Sequence, residues 1–175
     1  MAPIAGGMAP APRATDPGHS SAMKITDFLS PEAVLPELSA RTKPEVLREL
    51  AETLKKTEPS LRNADLVAVL NERERLGSTG IGEGVAIPHG KVNGMSGLRA
   101  VFGLSRGGVD FDAIDGRPTH LFFALLAPEH SAGIHLKALA RVSRLFKSPT
   151  FRASILSASD ARSIYDLIVN EDARA

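Results

Sequence analysis

From Val46 the apolar side chains recur at helical spacing. Val46, Leu47, Leu50, Ala51 and Leu54 fall on one face of an amphipathic helix of about four turns. Thr42 and Glu45 stand ahead of it in a capping-box pattern. Asn63 is placed to cap a second helix, in which Leu66, Val67 and Leu70 share a face. That helix runs into Asn71-Glu72-Arg73-Glu74-Arg75-Leu76 and stops at Gly77. The period then changes. Leu98–Leu104 and His120–Leu126 read as strands, the second led in by the polar turn Asp115-Gly116-Arg117-Pro118. Leu121–Leu126 is apolar throughout, which requires cover on both faces of its sheet. Ser131 is expected to cap a helix carrying Ile134, Leu139, Val142 and Phe146, and Ser148-Pro149 and Ser159 to open two shorter ones. Upstream, Ile25–Leu29 and a Ser30-Pro31-Glu32 turn lead to a short strand over Val34–Leu38, with Pro36 inside it. Helices mixed with a strand buried on both faces imply an α/β fold, a single three-layer domain.

Composition changes this picture at the N-terminus only. Residues 1–22 are rich in Ala, Pro, Gly and Ser and carry few large apolar side chains, too few to repay the entropy of ordering. A flexible tail is expected over residues 1–22, with Met23 a candidate start and the domain over residues 23–175. The 21 basic and 20 acidic side chains nearly cancel, and no basic stripe is interleaved with aromatics, so nucleic acid is not an expected partner. Cys is absent, which excludes disulfides and Cys-ligated zinc. No stretch approaches the ~20 apolar residues of a membrane span. The N-terminus lacks the apolar core of a signal peptide, and a cytoplasmic location is expected.

The chemistry concentrates between Gly77 and Gly90. Four glycines in eight residues, Gly77 to Gly84, allow tight turns and close approach of backbone to a ligand. Successive backbone N–H groups there could form an anion-binding nest. Val85-Ala86-Ile87 follows as a short strand, Pro88 restricts the backbone, and His89 comes next. A single histidine is thus held at a strand end beside a candidate anion loop. The spacing is neither G-x-G-x-x-G nor a P-loop, since no Gly-Lys-Ser or Gly-Lys-Thr follows.

Gly80-Ile81-Gly82-Glu83-Gly84-Val85-Ala86-Ile87-Pro88-His89-Gly90 resembles the phosphorylation-site signature of the mannitol/fructose-type (type-2) enzyme IIA domains of the bacterial phosphotransferase system. Arg73-Glu74-Arg75-Leu76-Gly77-Ser78-Thr79 matches the same family, and the order of elements extends the resemblance from about Met23 to Ile168. It implies a mixed β-sheet flanked by helices on both faces. It also implies that His89 accepts a phosphoryl group, that His135 is the assisting second histidine, and that Arg73 stabilises the phosphoryl oxygens. Arg75 is a close rival to Arg73, about 200° away on an ideal helix. Ser78, Thr79, Gly80, Ile81 and Gly82 are candidates to complete the phosphate cradle. No metal and no cofactor is implied.

A stand-alone chain of this kind looks most like the nitrogen-regulatory branch of the family. That likeness implies an HPr-like phosphocarrier as donor, and nitrogen- or potassium-related proteins as regulated partners. The alternatives are a fructose-type IIA feeding a separate IIB domain, and an interaction module with a vestigial His89. A hydrolase using His89 as general base lacks a nucleophile elbow, a Cys or paired carboxylates.

Overall fold

The computed structural model describes residues 23–174. The tail expected over residues 1–22 lies outside them.

Helix α1 (Lys43–Thr57) buries the five residues its spacing singles out. The Thr42 hydroxyl accepts from the Glu45 N–H at 3.4 Å, but the Glu45 carboxylate reaches the N–H of Arg41 at 3.1 Å instead of Thr42. The capping box is therefore displaced by one residue. Helix α2 (Leu66–Arg75) is capped by Asp65, not Asn63: the Asp65 carboxylate accepts from the Ala68 N–H at 3.1 Å. A 3-10 turn over Pro59–Leu61 delays the start of the helix past Asn63.

Six strands form one mixed sheet among the described residues: β1 (Val34–Leu35), β2 (Gly80–Gly82), β3 (Val85–Ala86), β4 (His89–Val92), β5 (Arg99–Val109) and β6 (Thr119–Pro128). The order is β1-β5-β6-β3-β2, and β4 also pairs with β6. β5 and β6 are antiparallel, whereas β3 and β4 both run parallel to β6. β1 stops at Leu35, short of the expected Val34–Leu38, because Pro36 has no N–H to continue the ladder. β5 and β6 both extend beyond their apolar cores. β5 continues through Ser105-Arg106-Gly107-Gly108 across a register irregularity between Leu104 and Val109.

The remaining chain forms α3 (Ala132–Leu145), α4 (Pro149–Ser157) and α5 (Ala161–Arg174). Ser148 caps α4, accepting from the Phe151 N–H at 3.2 Å. Ser131 does not cap α3, since its hydroxyl donates back to the Pro128 carbonyl at 2.7 Å. Asp160 takes the role expected of Ser159, accepting from the Ser163 N–H at 2.7 Å.

Helices cover both faces of the sheet. On one face Phe102 and its cross-strand partner Phe123 meet Phe146 at the end of α3, which stacks on Phe102 at 5.9 Å. On the other, Phe122 meets Phe111 edge-on at 5.2 Å, and the Lys43 ammonium of α1 lies 4.8 Å from the Phe111 ring. Full burial of each such ring contributes roughly 1.5–3 kcal/mol. β6, covered on both sides, is the rigid bar against which β4 and its first residue, His89, are laid.

Candidate functional site

His89 pairs in register with Leu125 of β6, and the Leu125 N–H donates to the Pro88 carbonyl at 2.8 Å. The backbone before the ring is therefore fixed. His89 Nδ1 lies 2.8 Å from the Ile87 carbonyl. A carbonyl only accepts, so Nδ1 carries the proton, and in the neutral ring Nε2 holds the lone pair. Burial lowers the His89 pKa below its ordinary value. The Ile87 hydrogen bond and the Glu74 carboxylate oppose that, and the Arg73 guanidinium adds to it.

His135 is the fourth residue of α3. The helix's buried stripe runs through His135, Ala138, Val142 and Leu145. Ile134, expected in the core, is 51% exposed, while His135 is only 6% exposed. The helix is thus rotated relative to its sequence reading, and a histidine takes a core position. The His89 and His135 rings stand edge to face, with centroids 5.4 Å apart. His135 Nε2 is buried and without a hydrogen-bond partner among the described residues. Burial, then the neighbouring His89 and Lys91, push its pKa down to about 4. His135 is therefore neutral near pH 7.

Both histidines line a cleft of about 750 Å3 between α2, β4 and α3. Arg73, Arg75, Lys91 and Glu72 also line it, three cations against one carboxylate. Arg73 is pinned at the end of α2, its Nη1 donating to the Gly77 carbonyl at 2.9 Å. Both arginines reach the cleft despite their separation around the helix, and the Arg73 charge lowers the His89 pKa. Leu76 and Leu136, 84% and 67% exposed, form apolar edges.

The structure does not bring the glycine-rich segment into this cleft. Gly80–Gly82 and Val85–Ala86 form a hairpin whose central residues, Glu83 and Gly84, have φ of 61° and 77°. Two successive positive φ values are what a type I′ turn needs. The glycines serve the hairpin, and no anion nest opens toward His89. The Ser78 hydroxyl donates to the Phe111 carbonyl at 2.7 Å and accepts from the Gly80 N–H at 3.0 Å. The Thr79 hydroxyl and N–H both go to the buried Glu74 carboxylate, which pairs with Lys43 at 2.8 Å. Neither hydroxyl is left for a ligand. Ile81 is exposed on β2, away from the cleft lining.

Sequence reasoning missed Lys91, the Ile87 carbonyl and Glu74. Lys91 sits in a strand too polar to be read as one. A backbone acceptor leaves no sequence signal. Glu74 is hidden in a run of charges that reads as a solvated helix end.

Gly90 has a packing role. A Cβ there would lie 2.4 Å from a Val69 methyl and 3.4 Å from the Val69 carbonyl of α2. Valine is stiff at χ1 in a helix, so the contact cannot be relieved cheaply. Gly90→Ala is expected to push α2, and Arg73 with it, off β4. A stability loss of about 1–3 kcal/mol by urea unfolding should accompany it.

His135 also makes a pH prediction. Its folded pKa lies below the unfolded value near 6.5, so the unfolded chain binds the extra proton between those values. Stability should therefore fall as pH drops from about 6.5 to about 4, by roughly 3 kcal/mol for this group at the end of the window. Urea unfolding of wild type and His135→Gln across that range isolates the contribution. Wild type should fall relative to His135→Gln by that amount as pH drops through the window, and parallel curves would remove His135 as the source.

Comparison with known proteins agrees with this architecture. Residues 27–171 match the family model for the phosphoenolpyruvate-dependent sugar phosphotransferase system, EIIA 2. A nitrogen regulatory protein of Bradyrhizobium diazoefficiens is 41% identical over 154 residues, covering 87% of this chain and 99% of that one. A fructose-specific EIIABC component of Bacillus subtilis is 38% identical over 151 residues, 86% of this chain but only 24% of the larger protein. The crystal structure of the nitrogen regulatory protein IIA-Ntr from Neisseria meningitidis superimposes with a TM-score of 0.76 at 35% identity, covering 82% of this chain and 98% of that one. With the mixed sheet, the flanking helices and a family match over most of its length, this chain belongs to the type-2 enzyme IIA family of the phosphotransferase system.

Proposed function

We propose that His89 accepts a phosphoryl group on Nε2 from a phosphohistidine HPr-like protein, and that the phosphorylation state of the chain regulates other proteins in nitrogen- or potassium-related responses. The observation that carries the first part is the Nδ1–Ile87 hydrogen bond, which leaves Nε2 as the nucleophilic nitrogen of a ring kept neutral by burial. In the transfer the Nε2 lone pair forms the new N–P bond while the donor's N–P bond breaks, returning its electron pair to the donor ring. The His89 ring becomes cationic, and the Ile87 carbonyl holds its Nδ1–H throughout. Charge on the phosphoryl oxygens is met by Arg73, and His135, whose ring stands 5.4 Å from that of His89, is the assisting histidine of this reading. Ser78 and Thr79 are left out of this cradle because their hydroxyls are committed elsewhere.

The regulatory reading rests on likeness to nitrogen regulatory proteins along nearly their whole length. The second reading, a fructose-type IIA that passes phosphate to a separate IIB domain, rests on the likeness to one part of a fructose-specific component. Incubation with a phosphorylated HPr-like carrier should add one acid-labile phosphoryl group. Adding a purified fructose IIB domain then separates the readings: retention of the phosphate supports the regulatory one, and rapid loss to IIB the sugar one.

A further inference from the structure

We propose that Glu74 is a positioning residue for His89, acting through the backbone of Thr79 and Ile87. The inference rests on the reading of His89 as acceptor and names what holds its ring. Glu74 lies at the end of α2, next to Arg73, and its side chain is 5% exposed. Its carboxylate accepts from the Thr79 N–H at 3.1 Å and from the Thr79 hydroxyl. The Thr79 carbonyl in turn accepts from the Ile87 N–H at 3.0 Å. The Ile87 carbonyl then accepts from His89 Nδ1 at 2.8 Å. These hydrogen bonds run unbroken from the helix end to the imidazole. Lys43 Nζ, 2.8 Å from Glu74, ties the start of α1 to the same point.

One turn of α2 thus serves the site twice. Arg73 faces the cleft, and Glu74 faces inward and anchors the segment that carries the ring's acceptor. A carboxylate needs more than backbone geometry to justify burial, because desolvating it is costly even when paired. Here the charge has a use. It favours the imidazolium that forms on His89 when phosphate arrives, in the sense in which Glu74 already raises the basicity of that ring. A ring held by one carbonyl, itself held by a charged anchor, keeps both its tautomer and its angle of attack. Small misplacement of such a group costs up to about a hundredfold in rate.

The test is Glu74→Gln, which keeps length and an acceptor for the Thr79 N–H but loses the charge. The ring is observed by 15N NMR of the imidazole, which needs no phosphoryl donor, so its outcome stands apart from that of the acceptor assignment. The expected result is a lower titration midpoint for His89 and a smaller share of the Nδ1–H tautomer. Transfer from the donor should slow by about tenfold to a hundredfold at saturating donor, with the half-saturating donor concentration unchanged. Asp172→Asn is the control. Asp172 is buried on α5, accepts from the Ile25 N–H at 2.9 Å and pairs with Arg141 at 2.5 Å. That variant should lose stability without moving the His89 signals. If Glu74→Gln does not fold, Lys43→Met leaves the carboxylate without its cation, and the His89 midpoint should rise. An unshifted His89 in a folded Glu74→Gln, or in the Lys43→Met that replaces it, would overturn the proposal. So would an equal shift in Asp172→Asn.

Discussion

His89→Ala is expected to fold and to take up no acid-labile phosphate from a phosphorylated HPr-like donor. The ring is half-buried at the wall of an open cleft, so its loss leaves space that solvent can fill instead of a sealed void. The β4 backbone keeps its ladder to Leu125–Pro128, and the Leu125–Pro88 hydrogen bond does not involve the side chain. Loss of stability should accordingly stay within about 1–2 kcal/mol, near the centre of the range for point variants. Loss of acceptance should be complete. His135 stands 5.4 Å away but is not expected to substitute, because its Nε2 is buried and no backbone carbonyl holds its Nδ1 as Ile87 holds that of His89 among the described residues. Intact mass after incubation with the donor, with and without acid treatment, gives the answer. Acid-labile phosphate persisting on the variant would move the acceptor to another residue.

Arg73→Lys is expected to slow transfer by roughly 10²–10³, the usual cost of one misplaced charge-stabilising donor. The phosphoryl group in transfer spreads its charge over three oxygens, and a planar guanidinium can reach two of them at once. Lysine keeps the charge but offers a single flexible point. The Arg73 guanidinium also donates from Nη1 to the Gly77 carbonyl at 2.9 Å, a contact that a single ammonium would not reproduce while also reaching the cleft. Arg75→Lys is the comparison. Arg75 lines the same cleft, but it is Arg73 whose guanidinium is tied to the Gly77 carbonyl and lowers the His89 pKa. Replacement of Arg75 should cost less than tenfold, an effect closer to that of a solvated charge. A larger loss in Arg75→Lys than in Arg73→Lys would exchange their roles.

Much of the fold was legible because burial and periodicity coincide. The α1 stripe, the apolar run of β6 and the Ser148-Pro149 start of α4 are each read from a local pattern. Other elements carry no such pattern. β2 is Gly-Ile-Gly and β4 is His-Gly-Lys-Val, and neither alternates in a way that distinguishes a strand from a loop. Both exist because β6 offers a rigid partner, directly for β4 and through β3 for β2. The rotation of α3 also escaped the sequence. Ile134 and His135 compete for one inward position, and hydrophobicity alone selects the isoleucine. The structure selects His135, at the expense of an unpartnered buried nitrogen. At the site, resemblance pointed to His89, His135 and Arg73, and the fold brings them to one cleft. A glycine-rich segment suits an anion nest and a type I′ hairpin equally well, because both use positive φ, and only the pairing of β2 with β3 separates the two.

The most direct test of the account is the identity of the phosphorylated nitrogen. The protein, labelled with 15N in its histidine rings, is phosphorylated by the HPr-like donor and observed by two-bond 1H–15N correlation with 31P coupling. A single phosphohistidine at His89, bonded through Nε2 with Nδ1 still protonated against the Ile87 carbonyl, is the predicted result. Phosphate on Nδ1 of His89, or on any other residue, would contradict it.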